Sequence, residues 1–202
     1  MDELSTEQKI YSAAKTIFLQ KGLQGARMQE IADEAGINKS LLHYYFRTKD
    51  KLFQVIFEET ASKLFTSIIT ALEGGNDFKT KIQLFVDRYI GFIQENPYIP
   101  QFMINIISQN PDMLLQVFEK LKIQPKNDIL KQIQMEMEKG NIKKMQPEQL
   151  IINMVSLCIF PFIAKPIIKG ILEKNDAEYD DLMNERKKML PDFIIYAIQI
   201  RK

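Results

Sequence analysis

The stretch Met28 to Lys51, MQEIADEAGINKSLLHYYFRTKDK, decides the reading of this chain. It spells two short helices joined by a tight corner, which is what a helix-turn-helix requires. Ala32 is small where the second helix must come close, and Gly36 stands where the corner needs a positive φ. Ile31, Ala35, Ile37, Leu42 and Tyr45 fall at offsets that close a shared miniature core. Asn38 caps the second helix, whose first amides are then placed to face a phosphate. Each signal is common alone; together they are specific. The plain alternative is an ordinary helical hairpin in a core.

Working outward, nearly every segment has a helical period and none alternates convincingly. Upstream, Ser5-x-x-Gln8 forms a capping-box pattern. Ile10, Ala13, Ala14, Ile17 and Phe18 share one face, and Lys21-Gly22 stops that helix. Downstream, Thr48 caps a long helix reaching about Leu72, and Asp50 suits its positive end. Glu73 to Asp77 breaks the chain, after which the pattern predicts helices at about 77–95, 97–108, 111–122, 126–139, 147–172 and 177–200. Pro161 and Pro166 are expected to kink or break the penultimate helix, and Pro191 the last. The fold class is all-α, with a DNA-binding domain at 1–50 and a larger helical domain at 51–202; the change falls inside the long helix rather than in a linker.

Lys and Arg number 27 against 26 acidic residues, so any basic face must be local. From 38 to 51, Lys39, Arg47, Lys49 and Lys51 face Asp50 alone. Cys158 is the one cysteine, which excludes an intramolecular disulfide, and no Cys/His cluster has metal-ligand spacing. The acidic start, Met1-Asp2-Glu3-Leu4, predicts no signal peptide, and a reducing cytoplasm fits. Leu150 to Ala164 is apolar but shorter than the ~20 residues of a membrane span. His43 is the one histidine, so triad, general-base and metal readings lack partners; no glycine-rich phosphate loop or cofactor motif is present, and an enzyme is not expected.

The residues IADEAGINKSLLHYYFRTKDKLF resemble the N-terminal domain of the tetracycline-repressor (TetR) family, in their Ile-Ala, Ala-Gly, Tyr-Phe and Lys-x-x-Leu positions. The resemblance covers about residues 5–56. It implies a three-helix DNA-binding domain, with C-terminal helices that dimerise and hold an inducer. Carried over by position, Lys39 to Phe46 is the recognition helix, and Lys39, Ser40 and Leu41 occupy the leading end that meets base edges. Lys39 can donate to guanine, and Leu41 can contact a thymine methyl. The resemblance sets His43 and Tyr44 against the sugar-phosphate backbone and leaves Tyr45 partly core. It makes Lys49 a phosphate-binding lysine, and Gln29 is placed to reach a base or phosphate. Three positions depart from the family pattern: Arg27 replaces the usual Thr or Ser, His43 the common Tyr, and Leu41 the common Thr. Arg27 loses a capping hydroxyl and gains reach toward a phosphate.

For the C-terminal half the resemblance implies a ligand cavity. Its candidate lining is Phe85, Tyr89, Phe92, Phe102, Met103, Ile106, Met135, Cys158 and Phe162. Such Met and aromatic surfaces suit a largely neutral, lipophilic effector, with Asp87 able to bias the site toward a cation. The segment 147–172 is apolar over more than one face, and Leu182, Met189, Phe193, Ile194, Ala197 and Ile198 form a broad stripe on the last helix. In the family two such helices from each subunit form a twofold interface, which implies a homodimer on a palindromic operator. The competing reading is a helical ligand-carrying or protein-docking module without DNA binding.

Overall fold

The computed structural model describes residues 5–73, 77–97, 99–100, 103–104, 108, 112–120 and 128–200. Its described residues form ten α-helices: α1 Thr6–Gly25, α2 Met28–Glu34, α3 Lys39–Tyr45, α4 Lys49–Glu73, α5 Phe78–Glu95, α6 Asp112–Lys120, α7 Asp128–Glu138, α8 Pro147–Ile163, α9 Lys165–Ile171 and α10 Asp176–Ile198. Half of the expected helix at 97–108, and the starts of those expected at 111 and 126, lie outside the described residues. The chain divides into two compact units, 1–63 with 97–117 and 64–96 with 118–202. The sequence places the domain change near residue 50; this division falls further along α4, after Lys63, and assigns 97–117 to the first unit.

In the first unit α1 begins with the expected reciprocal cap. Gln8 N donates to Ser5 Oγ at 3.2 Å and Ser5 N to Gln8 Oε1 at 2.9 Å. The face Ile10, Ala13, Ala14, Ile17 and Phe18 is buried, and Gly22 interrupts the helix at φ 66°. The corner after α2 is a Schellman turn: Ile37 N reaches Ala32 O at 3.0 Å, Gly36 N reaches Asp33 O at 3.1 Å, and Gly36 has φ 67°. Nothing lies within 4 Å of a Cβ built on Gly36, so its requirement is backbone conformation alone. Gly36→Ala is therefore expected to lower stability by about 1–2 kcal/mol, and Gly36→Asn by less, in paired thermal melts. Equal melting temperatures for the wild type and both variants would remove this account of the corner.

Ile31, Ala32 and Leu42 are fully buried and Phe46 nearly so, while Ala35 and Ile37 are half-buried. Tyr45 is 42% exposed, partly covered and partly in solvent. The helix ends at Tyr45, and Phe46 turns extended (φ −134°, ψ 100°), so the next ring along goes inward instead. Phe18 meets Phe53 edge-on at 5.7 Å, and the Tyr11 hydroxyl donates to Val55 O at 2.8 Å, fixing α1 against α4.

In the second unit α5 packs against α10 and α8, and α8 against α7. Ile82, Val86, Ile90 and Ile93 of α5 meet Leu150, Met154 and Cys158 of α8 and Leu190, Ile194 and Ile198 of α10. Ion pairs edge this core. Asp87 meets Lys187 at 3.0 Å, and Lys165 and Lys169 of α9 hold Asp176 and Asp180 of α10.

The penultimate helix is broken between Pro161 and Pro166, as expected, and Pro161 itself lies within α8. A proline lacks the amide that would bond the carbonyl four residues back, here Leu157 O. Arg186 supplies the missing donors, with Nε at 3.1 Å and Nη2 at 2.9 Å from that oxygen. The break comes at Ala164, where α8 and α9 meet at 72°, with Pro166 tolerated in the first turn of α9. Pro191 likewise sits inside an unbroken α10. No single helix among the described residues is long and apolar enough to cross a membrane.

Candidate nucleic-acid interface

The helix α3 has one face in the core and one in solvent. Leu42 is fully buried, and Leu41 is half-buried. Lys39, Ser40, His43 and Tyr44 are all exposed, and their spacing puts them on one helical face. Tyr44 is 82% exposed, and its ring meets that of Tyr45 edge-on at 5.6 Å. Two exposed phenols on a seven-residue helix are a poor choice for a plain solvated surface. Asn38 caps α3, its Oδ1 accepting from Leu41 N at 2.8 Å.

His43 is oriented by its own backbone. Nδ1 lies 3.0 Å from Arg47 O, and a carbonyl only accepts, so Nδ1 must carry hydrogen in this contact. Nε2 is then the ring nitrogen left for an outside group. Sequence reasoning missed this bond, which spans the four residues from a helical side chain to the loop after the helix.

Lys49 is more constrained than the resemblance implies. Its Nζ donates to Ala26 O at 3.1 Å and Gln24 O at 3.4 Å, so it caps the end of α1 and has one hydrogen left for a phosphate. Arg27 is exposed at the N-cap of α2 and, as expected, supplies no side-chain cap. Glu30 Oε2 accepts from Arg27 N at 3.2 Å, while its Oε1 pairs with Lys21 at 2.8 Å. Those contacts hold the Glu30 carboxyl below its usual range, the Lys21 bond being the main cause. Gln29 is exposed and donates to Asp33 Oδ1 at 2.7 Å, leaving its carbonyl oxygen available. Every residue proposed for the DNA face thus lies in the first unit.

The cavity candidates are dispersed. In the second unit a cavity of about 50 Å³ is walled by Leu72, Ile82, Phe85, Ile133, Ile151 and Met154 among others, and of the candidates Phe85 alone lines it. Tyr89 and Cys158 are buried in the surrounding core; burial pushes the Cys158 thiol up to about 12. Phe92 and Phe162 are half-buried against that core. Met135 corrects the reading: it is half exposed, because it follows the cavity-lining Ile133 by two residues and so points the other way round α7. Met103 is half-buried in the segment grouped with the first unit, and Phe102 and Ile106 lie outside the described residues. Asp87 is engaged by Lys187 on the surface and does not line the cavity. Leu72, Ile129 and Ile151 were missed; they sit at helix ends or on mixed faces where periodicity is uninformative.

The family profile of bacterial regulatory proteins, tetR family, matches residues 10–56. The transcriptional activator FasR of Mycolicibacterium smegmatis is 29% identical over 84 residues, covering 42% of this chain and 38% of that protein. The transcriptional repressor SCO4008 of Streptomyces coelicolor is 36% identical over 67 residues, 33% of this chain and 35% of that protein. The chain therefore spans little more than a third of the length of either relative. The ketosteroid transcriptional regulator KstR2 of Mycobacterium tuberculosis shares the fold, with a TM-score of 0.73 at 12% identity over 99% of this chain and 98% of that one. Residues 10–56 are thus similar to the tetR family of bacterial regulatory proteins, whose model they match.

Proposed function

We propose that the chain is a ligand-responsive transcriptional repressor, which binds a palindromic operator as a homodimer and is released by a small lipophilic effector. One observation carries this reading: α3 buries Leu42 completely while turning Lys39, Ser40, His43 and Tyr44 outward from a capped helix-turn-helix. Such a face offers cations to phosphates and side-chain donors to base edges. The remaining support is the outer surface of α8 and α10, where Ile152, Phe160, Met189, Phe193 and Tyr196 are exposed. Two copies joined there would present recognition helices about 34–36 Å apart to successive major grooves.

Effector and DNA would favour different separations of those helices, each lowering affinity for the other. The long helix α4 is the transmitting element in this scheme, since it begins at Lys49 and continues to Leu64 and Ile68 in the core of the second unit. Selection of bound duplexes from a random pool tests the reading directly. Inverted-repeat half-sites are expected; recovery of no enriched sequence, with no salt-dependent binding, would leave the docking-module alternative.

Two lysine variants then separate the roles. Lys39→Ala is expected to relax base preference at one position of each half-site by about 1–3 kcal/mol. Lys49→Ala should weaken all duplexes alike and lower the salt slope by about one per protomer. It should also reduce the melting temperature, because the carbonyls of Gln24 and Ala26 lose their donor. A Lys49 variant with unchanged salt slope would make that residue a structural tie only.

A further inference from the structure

We infer that the effector is an anion: a straight-chain carboxylate whose tail enters the α4–α5–α7–α8 cavity and whose head is held by Lys81 and Gln132. This rests on the effector-responsive reading above and gives it a chemistry. The cavity walls are apolar but for these two residues, which stand together where Lys81 Nζ donates to Gln132 Oε1 at 2.9 Å. Among the described residues Lys81 has no ion-pair partner, whereas Lys165, Lys169 and Lys187 of the same unit each hold a carboxylate. An ammonium at the edge of an apolar chamber, satisfied by one neutral amide, has two hydrogens left. The Gln132 amide places further donors beside it.

A carboxylate accepts through two oxygens and is the natural complement of that pair. A neutral lipophile would fill the chamber and leave the ammonium as it is. An amine would set like charge against it. The chamber of about 50 Å³ lies below the ~300 Å³ of a typical small-molecule site, so even a slim unbranched tail has to displace side chains to enter. Met154 and the isoleucines are the groups that would repack around it.

The test compares octanoate, 1-octanol and octylamine, equal in chain length and different in head charge, by calorimetric titration of the full chain and its Lys81→Met variant. Octanoate is expected to bind at least about tenfold more tightly than either other probe, the scale of a charge-assisted hydrogen bond. Lys81→Met should erase that margin. Melting curves of the variant without ligand verify its fold, and the three-probe comparison on the wild type stands even if the variant unfolds. Octanol or octylamine matching octanoate would overturn the anion assignment while leaving a lipophile-responsive regulator intact. Failure of all three to bind would overturn both this assignment and the effector clause of the proposed function.

Discussion

Phe193→Glu is expected to convert the proposed homodimer into a monomer and to lower affinity for the proposed operator by roughly two to four orders of magnitude, the range lost when two linked half-site contacts become independent. Phe193 is 54% exposed at the centre of an apolar ridge on α10, with Met189 one turn before it and Tyr196 one turn after. Ile152 and Phe160 of α8 extend the same kind of surface. A patch of large side chains on this scale is unusual on a monomer. In a twofold interface every substitution occurs twice, so the new carboxylate would be buried opposite or near its own copy. Sedimentation measures the assembly, gel shift the affinity, and Phe193→Leu serves as the conservative apolar control. A Phe193→Glu chain that still sediments as a dimer would move the interface elsewhere.

Arg186→Met is expected to cost about 1–3 kcal/mol, the penalty for leaving a shielded acceptor without its donors. For a chain of this size that corresponds to a fall in melting temperature of roughly 2–4 °C per kcal/mol. The argument is specific to Pro161. Because proline has no amide, Leu157 O has no helical partner, and the two guanidinium nitrogens at 3.1 and 2.9 Å take that place. Pro161→Ala restores the amide, so Arg186→Met should cost clearly less in that background. The coupling, read from a double-mutant cycle, is the decisive quantity. Strict additivity of the two changes would mean that the arginine and the proline are neighbours without being partners.

The helix-turn-helix was legible because its determinants are local. Gly36 declares a positive φ, Asn38 a cap, and Ala32 a close approach, each within a few residues of where it acts. Tyr45 is only partly covered for a related reason: helical spacing from Leu42 predicts an inward residue only while the helix lasts, and α3 ends there. The break between Pro161 and Pro166 was legible from local signals too, but its place at Ala164 was not, since Arg186, far along the chain on another helix, serves the carbonyl that Pro161 leaves without a donor. The stripe expected on the last helix also divided. Ile194 and Ile198 face the core, whereas Met189 and Phe193 face out, since a helix apolar on two sides shows one broad band to periodicity. Cavity lining was the least legible, being set by which helix ends converge in space.

Seven tyrosines and no tryptophan occur in the chain, and two of those phenols, Tyr44 and Tyr45, are exposed on α3. Its intrinsic ultraviolet emission is therefore dominated by tyrosine, with two of the seven phenols on the face proposed to meet the duplex. Unlabelled duplex should dim that signal on docking, so the protein carries its own optical gauge of occupancy.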